Sequence, residues 1–381
     1  MTKKCKKLLT GVLVFAMSVT CIATGMIGKN TEAQAARSSL SRVSVHDPNI
    51  FKDTDGTYYA FGSHLATAKS TDLRNWTQMI SGYNDTSANI EAVYGDLDTN
   101  FAEPFLWAGK NECDSYGGHS VWAPNVIYNE DYVNEDNSKG AYMMYVCTSS
   151  TYIRSAIGFA VSQNAEGPYE YKDTLIYSGF TSGDAYDTYT VDSTTQTSYV
   201  NKNYTNTNID ELIADGTLSG VNSSWFNNDG SYNNNYAPNA IDPTVFTTPA
   251  GKMYMTYGSW SGGLFILEID PATGKAIYPG TTSTDSDTGL VTDAYFGTRI
   301  AGRNHVSGEA PFINYDAETG YYYLYETYGG LTADGGYNMR MYRSQNPCGP
   351  YVDAAGNQAQ NNYLNLNSYG VKLEGNYAFT G

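Results

Sequence analysis

Short runs of aromatic and apolar residues, each bounded by glycine and a polar turn, recur along most of the chain. The clearest are Thr57-Tyr58-Tyr59-Ala60-Phe61, Lys252-Met253-Tyr254-Met255-Thr256-Tyr257 and Tyr321-Tyr322-Tyr323-Leu324-Tyr325. Residues of this kind suit a pleated, half-buried surface, so each run predicts a strand. Ahead of the runs stand Asp53-Thr54-Asp55-Gly56, Pro249-Ala250-Gly251 and Asp316-Ala317-Glu318-Thr319-Gly320. These are hairpin turns by composition. The Asp53/Asp55 pair lacks the third acid and the later Glu of a calcium loop, which favours a turn. Little helix is expected anywhere.

The runs belong to a longer phrase that occurs four times. It reads Val45-His46-Asp47-Pro48-Asn49-Ile50-Phe51, Trp122-Ala123-Pro124-Asn125-Val126-Ile127, Ile241-Asp242-Pro243-Thr244-Val245-Phe246 and Glu309-Ala310-Pro311-Phe312-Ile313. The residue before Pro lies twelve positions ahead of a strand Tyr in three copies: Asp47 to Tyr59, Asp242 to Tyr254 and Ala310 to Tyr322. A second echo, Ser70 to Trp76, Ser162 to Tyr169 and Ser344 to Tyr351, closes three of the units. Repetition of a strand-rich unit predicts an all-β chain built as a β-propeller, with four blades recognisable. Ser182 to Tyr236, dense in Asn, Thr, Ser, Asp and Tyr, is expected to be an inserted surface loop. The fourth blade is expected to close near Asp353. The 28 residues after it, including Leu364 to Leu373, are too few for another blade. The expectation is therefore a propeller truncated before its last blade, with exposed blade edges and poor solubility.

Residues 1–35 carry Lys3, Lys4, Lys6 and Lys7, an apolar stretch from Leu8 to Ile27, and Ala33-Gln34-Ala35 as a cleavage site. That pattern predicts a secretory signal peptide, leaving 36–381 as the folded domain of a secreted protein. Its removal takes away five basic residues and one acid, leaving 17 basic against 38 acidic, about −21. Such a surface repels nucleic acid, anionic lipid and acidic polysaccharide, so a neutral substrate is expected. Three cysteines remain, Cys113, Cys147 and Cys348. An odd count argues against a disulfide framework and allows at most one pair. No organic cofactor is indicated.

Three copies of the phrase put an acid at or beside the Pro: Asp47, Asp242 and Glu309. One Asp before a Pro most often caps a turn. Three acids in register with a repeat point to one shared site, and the second copy has Trp122-Ala123 there, so the scaffold does not require an acid. Trp122 and Trp260 are candidates for stacking on sugar rings, and Asn125, Asn239 and Ser259 for hydrogen bonds to hydroxyls; ordinary packing is the alternative for each. His64 and His305 stand beside the repeats, and four His in all do not make a zinc site.

The ordered set of Asp47-Pro48, Trp122-Ala123-Pro124, Asn239-Ala240-Ile241-Asp242-Pro243 and Ser307-Gly308-Glu309-Ala310-Pro311 resembles glycoside hydrolase family 43, in particular its secreted endo-α-1,5-L-arabinanases. The resemblance implies a five-bladed propeller and an inverting glycosidase, with Asp47 as general base, Glu309 as general acid, and Asp242 orienting the acid and tuning its pKa. Inversion needs the two working carboxyls roughly 6.5–9.5 Å apart. Burial and the Asp242 charge are expected to hold a proton on Glu309. The implied substrate is arabinan, a neutral plant polysaccharide, cut by a monomer. The family also implies a calcium ion held through a His of the last blade, and no such motif follows Pro311. Exo-acting arabinofuranosidase or β-xylosidase action and a non-catalytic sugar-binding propeller are the alternatives. Invertase-like enzymes share Asp-Pro-Asn but pair their later acid with Cys, where this chain has Glu309-Ala310.

Overall fold

The computed structural model describes residues 40–109, 120–151, 153–191 and 196–375. The predicted signal peptide, Cys113 and the last six residues lie outside them. All of the sheets belong to the unit Val43–Gly381.

The predicted strands assemble into antiparallel sheets. Sheet one is β1 Asn49–Lys52, β2 Tyr58–Phe61, β3 Thr67–Ser70 and β4 Trp76–Ile80, paired in that order. Helices α1 Ser87–Tyr94, α2 Leu97–Asn100 and α3 Ala102–Ala108, which the sequence pattern does not announce, lead to sheet two. Sheet two is β5 Val121–Val133, β6 Lys139–Thr151, β7 Arg154–Ser162 and β8 Glu170–Tyr177. A separate hairpin, β9 Tyr186–Val191 with β10 Gln196–Asn201, and helix α4 Ile209–Ala214 come next. Sheet three begins with β11 Thr244–Thr247, β12 Met253–Tyr257 and β13 Leu264–Ile269. It continues through β14 Ala276–Ile277, β15 Ser283–Thr284 and β16 Val291–Asp293 to β17 Gly297–Ala301, which pairs with β13. Sheet four is β18 Glu309–Asp316, β19 Tyr321–Tyr328, β20 Asn338–Ser344 and β21 Val371–Gly375.

The twelve-residue spacing has a physical cause. It places an aromatic residue of the first strand across from the Tyr of the second: Phe51 against Tyr59, Phe246 against Tyr254 and Tyr315 against Tyr322. Their rings sit 5.3, 5.9 and 4.8 Å apart, and such cross-strand pairs stabilise hairpins.

The core lies between consecutive sheets. β6 serves two interfaces by alternation: Met144 and Val146 join the cluster with Tyr59 and Phe61 of sheet one, whereas Met143 and Tyr145 join Met253, Met255 and Phe265 of sheet three. A third cluster sets Tyr254 and Ile266 against Ile313, Tyr322 and Leu324 of sheet four. The first strands are neighbours in chain order, β1 beside β5, β5 beside β11, β11 beside β18. Among the described residues no such cluster joins sheet four to sheet one, and Phe312, Met339 and Ile50 stay exposed.

Two expectations are corrected. Sheet four is not closed at Asp353: its last strand is β21, so Val371–Gly375 completes this sheet instead of starting another. The segment 182–236 is not merely a surface loop. Its second half enters the core, where Trp225 and Ile209 are fully buried and Leu218 and Tyr232 nearly so. The Trp225 indole donates to Asp293 Oδ2 at 2.9 Å, which satisfies a carboxylate that is itself fully buried. The polar composition conceals a few large anchors. Trp225→Ala should therefore cost about 3–5 kcal/mol in denaturant unfolding. Tyr186→Ala, at an exposed side chain, should stay within about 0.5 kcal/mol of the parent.

Candidate active site

The residue before each repeated Pro has left-handed backbone: φ is 48° at Asp47, 37° at Ala123, 57° at Asp242 and 52° at Ala310. Residues other than Gly seldom adopt this conformation, and a residue before Pro is normally extended. Strain of this kind persists only where the surroundings over-determine it. Here they do. The Ala123 N–H donates to Ser63 Oγ at 2.8 Å, and the Ala310 N–H to Asp242 Oδ2 at 3.2 Å. Two residues beyond the left-handed position, Asn49 Oδ1 accepts the Val126 N–H at 2.8 Å and Asn125 Oδ1 accepts the Val245 N–H at 3.0 Å. Each of these bonds runs from one sheet to the next.

All four left-handed residues and their prolines line one cavity of about 630 Å³. A smaller cavity of about 350 Å³ is lined by Asn239, Ser259, Trp260, Ser261, His305 and Glu309. Glu309 precedes Ala310 of the larger cavity and bonds to Tyr337, which also lines it, so this acid stands where the two meet. Another hollow, of about 690 Å³ and lined by residues between Gly95 and Lys172, contains none of the in-register acids.

The three acids differ in environment. Asp47 is exposed. Ser63 donates to its Oδ2 at 2.6 Å, and His46 Nε2 lies 3.2 Å from the same oxygen. The buried Ser63 is held by its own N–H to His46 O at 2.9 Å, beside Gly62, where a Cβ would lie 2.2 Å from that carbonyl. Only glycine fits so close to the chain. Asp242 is partly buried on the cavity wall. Burial first, then the charges of Glu309 and Asp47, push its carboxyl well above the usual range, opposed by the Ala310 N–H bond. Glu309 is held by three donors: Tyr337 OH to Oε1 at 2.7 Å, and Trp260 Nε1 at 3.0 Å and Ser259 Oγ at 3.2 Å to Oε2.

The predicted sugar-contact residues divide. Ser259 and Trp260 line the smaller cavity, but their polar atoms are turned to Glu309. Asn239 lines it too, with Oδ1 accepting from Ser155 and Ser178 hydroxyls. His305 is also there, its ring 5.7 Å from that of Trp260. Asn125 is buried and lines the larger cavity, while its amide oxygen accepts the Val245 N–H and so joins sheets two and three. Trp122 lines neither cavity. Its indole donates to Ser149 O at 2.9 Å and its ring packs at 4.4 Å on His64. Packing claims Trp122 because its ring bridges sheets one and two.

Ser63, Tyr337 and Thr327 join the site without having been expected from the sequence. Ser63 had a signal: Phe61-Gly62-Ser63 and Tyr257-Gly258-Ser259 end their strands alike, and each Ser reaches an acid. Tyr337 had none, being one of 35 tyrosines. For calcium, no group of three or more His, Cys, Asp or Glu side chains able to hold a metal occurs among the described residues. No catalytic step is routed through the ion. Cys147 and Cys348 are both free thiols.

Comparison with known proteins agrees with this arrangement. The model of the glycosyl hydrolases family 43 matches residues 219–377. The chain is 35% identical over 356 residues to extracellular endo-alpha-(1->5)-L-arabinanase 2 of Bacillus subtilis (strain 168), covering 91% of this chain and 59% of that protein. It is 36% identical over 337 residues to an extracellular endo-alpha-(1->5)-L-arabinanase of Thermotoga petrophila, covering 87% and 56%. The crystal structure of the endo-1,5-alpha-L-arabinanase from Thermotoga petrophila RKU-1 superposes with a TM-score of 0.62 at 34% identity, over 88% of this chain and 60% of that one. The chain thus spans just under three fifths of the length of these curated relatives. With its three acids set in register on successive repeats, the chain is similar to members of glycosyl hydrolase family 43, whose model matches its residues 219–377.

Proposed function

We propose that this chain carries the active site of a secreted glycosidase that hydrolyses α-1,5-linked L-arabinan within the chain and with inversion. The observation that carries the reading is the convergence of Asp47, Asp242 and Glu309, from three different sheets, on one cavity and its junction. The names of the relatives supply the substrate class and the extracellular setting. The four sheets are read as blades of a propeller around that cavity.

In this reading Glu309 gives a proton to the leaving oxygen while Asp47 takes one from the attacking water. Ser63 fixes Asp47 Oδ2 and leaves Oδ1 for the water. Asp242, whose carboxyl is pushed up by burial and by the charges of Glu309 and Asp47, is read as the group that orients Glu309. Its partner is a neutral polymer, in keeping with the acidic surface.

Two outcomes are expected. The full chain should release short arabino-oligosaccharides from linear, debranched arabinan, and Glu309→Ala should slow this by roughly 10²–10⁴-fold. An unchanged rate would remove Glu309 from the acid's role, and release of arabinose alone would make the action exo. The second concerns stability. Above about pH 4 the unfolded chain gives up the Asp242 proton while the folded chain keeps it. Stability therefore falls as pH rises through the range between the ordinary and the raised value. Asp242→Asn abolishes that dependence. Its Tm should match the parent near pH 4 and exceed it at neutral pH, with activity lost; a lower Tm at neutral pH would contradict the raised proton affinity of this acid.

A further inference from the structure

We infer that Tyr337 is a positioning residue for Glu309, and that the proton Glu309 transfers is carried on Oε1, the oxygen facing Tyr337. The inference rests on the hydrolase reading above. It starts from the donors. An indole N–H donates and never accepts. Trp260 Nε1, 3.0 Å from Oε2, therefore keeps that oxygen an acceptor in both protonation states, with Ser259 Oγ at 3.2 Å as a second donor. The acid hydrogen belongs on Oε1.

Oε1 faces a chain of two hydroxyls. Tyr337 OH lies 2.7 Å from it and 2.8 Å from Thr327 Oγ1, and Thr327 Oγ1 lies 3.1 Å from the backbone oxygen of Glu309. Every hydrogen in this loop has an acceptor when Glu309 is protonated: Oε1–H to Tyr337, Tyr337 to Thr327, Thr327 to Glu309 O. When Glu309 is ionised the direction reverses, with Thr327 donating to Tyr337 and Tyr337 to Oε1. Burial first, and then the Glu309 charge, push the Tyr337 phenol up, so it keeps its hydrogen in both states.

The transfer step balances. The Oε1–H bond breaks and an O–H bond forms on the leaving sugar, while the glycosidic C–O pair goes to that oxygen. As charge grows on Oε1, Tyr337 turns to donate to it. A hydrogen bond to the charged form outweighs one to the neutral acid, so the phenol favours the transition state over the resting acid.

The test is Tyr337→Phe in the full chain, with Thr327→Val as the milder second variant that keeps the ring in place. On arabinan, Tyr337→Phe should lower kcat by roughly 10- to 100-fold with KM little changed, and move the alkaline limb of the kcat/KM profile to higher pH. On a dinitrophenyl α-1,5-arabinobioside, whose leaving group needs no proton, the rate should stay near the parent's. Thr327→Val should shift the same quantities in the same direction by less. Equal losses on both substrates would mean a merely structural role and overturn the inference, as would an unmoved limb. A readout without turnover separates this inference from the hydrolase reading. The Trp260 indole N–H resonance, assigned with Trp260→Phe, reports the protonation of Glu309 through Oε2. Even if the chain hydrolyses nothing, a midpoint moved to higher pH in Tyr337→Phe or Thr327→Val supports the role of Tyr337, and a midpoint unmoved in both overturns it.

Discussion

The structure depends on a backbone conformation that polypeptides avoid. Four residues before proline are held left-handed, and none of them is glycine. Each sheet forms its own strand pairs, and apart from isolated contacts such as the Ser259–Glu309 bridge the ladders do little to relate one sheet to the next. The left-handed corner supplies that relation. It exposes backbone N–H groups at the start of each first strand, and the preceding sheet's side chains bind them. Ser63 holds Ala123, Asn49 holds Val126, Asn125 holds Val245, and Asp242 holds Ala310. Aromatic and aliphatic clusters between the sheets then fill behind these stitches.

The same corners build the site. A left-handed residue at the head of an inner strand lies on the shared cavity whatever its side chain, and Ala123 and Ala310 stand there without any acid. Exchanging alanine for aspartate at two corners converts a structural joint into a carboxylate on the cavity wall. Asp242 retains both roles: it stitches Ala310 and, through burial, raises its own proton affinity. Glu309, one residue earlier than a corner, instead lies at the edge of the smaller cavity, where Tyr337, Trp260 and Ser259 reach it. The geometry thus separates an exposed carboxyl, one whose proton affinity its surroundings raise, and a third held by three donors.

Much of this is legible in the sequence because it repeats. The phrase around Asp47, Ala123, Asp242 and Ala310 marks the inner strands, and its acids mark the cavity. Pro48-Asn49 and Pro124-Asn125 are equally visible, but the bonds that Asn49 and Asn125 make between sheets leave no trace until the sheets are adjacent. The buried Trp225–Asp293 anchor is hidden inside a polar stretch, because one indole bonded to one carboxylate scarcely alters composition. Helices α1 to α3 escape notice for a related reason: they are short, and their burial against sheets one and two, not their own periodicity, holds them. β21 reads as lying beyond sheet four because the distance between β20 and β21 in sequence masks their pairing. Tyr337 is indistinguishable from other tyrosines until its hydroxyl is seen beside Glu309.

At the centre of the proposed mechanism, Asp47 is to activate water on the opposite side of the bond from Glu309. Proton NMR of the first reducing ends released from linear arabinan by the full chain tests this directly. β-L-Arabinofuranosyl ends should form first and only later equilibrate to the α form, as displacement by water from the opposite face requires. α-Anomers formed first would mean retention through a covalent intermediate, and would contradict the roles given to Asp47 and Glu309.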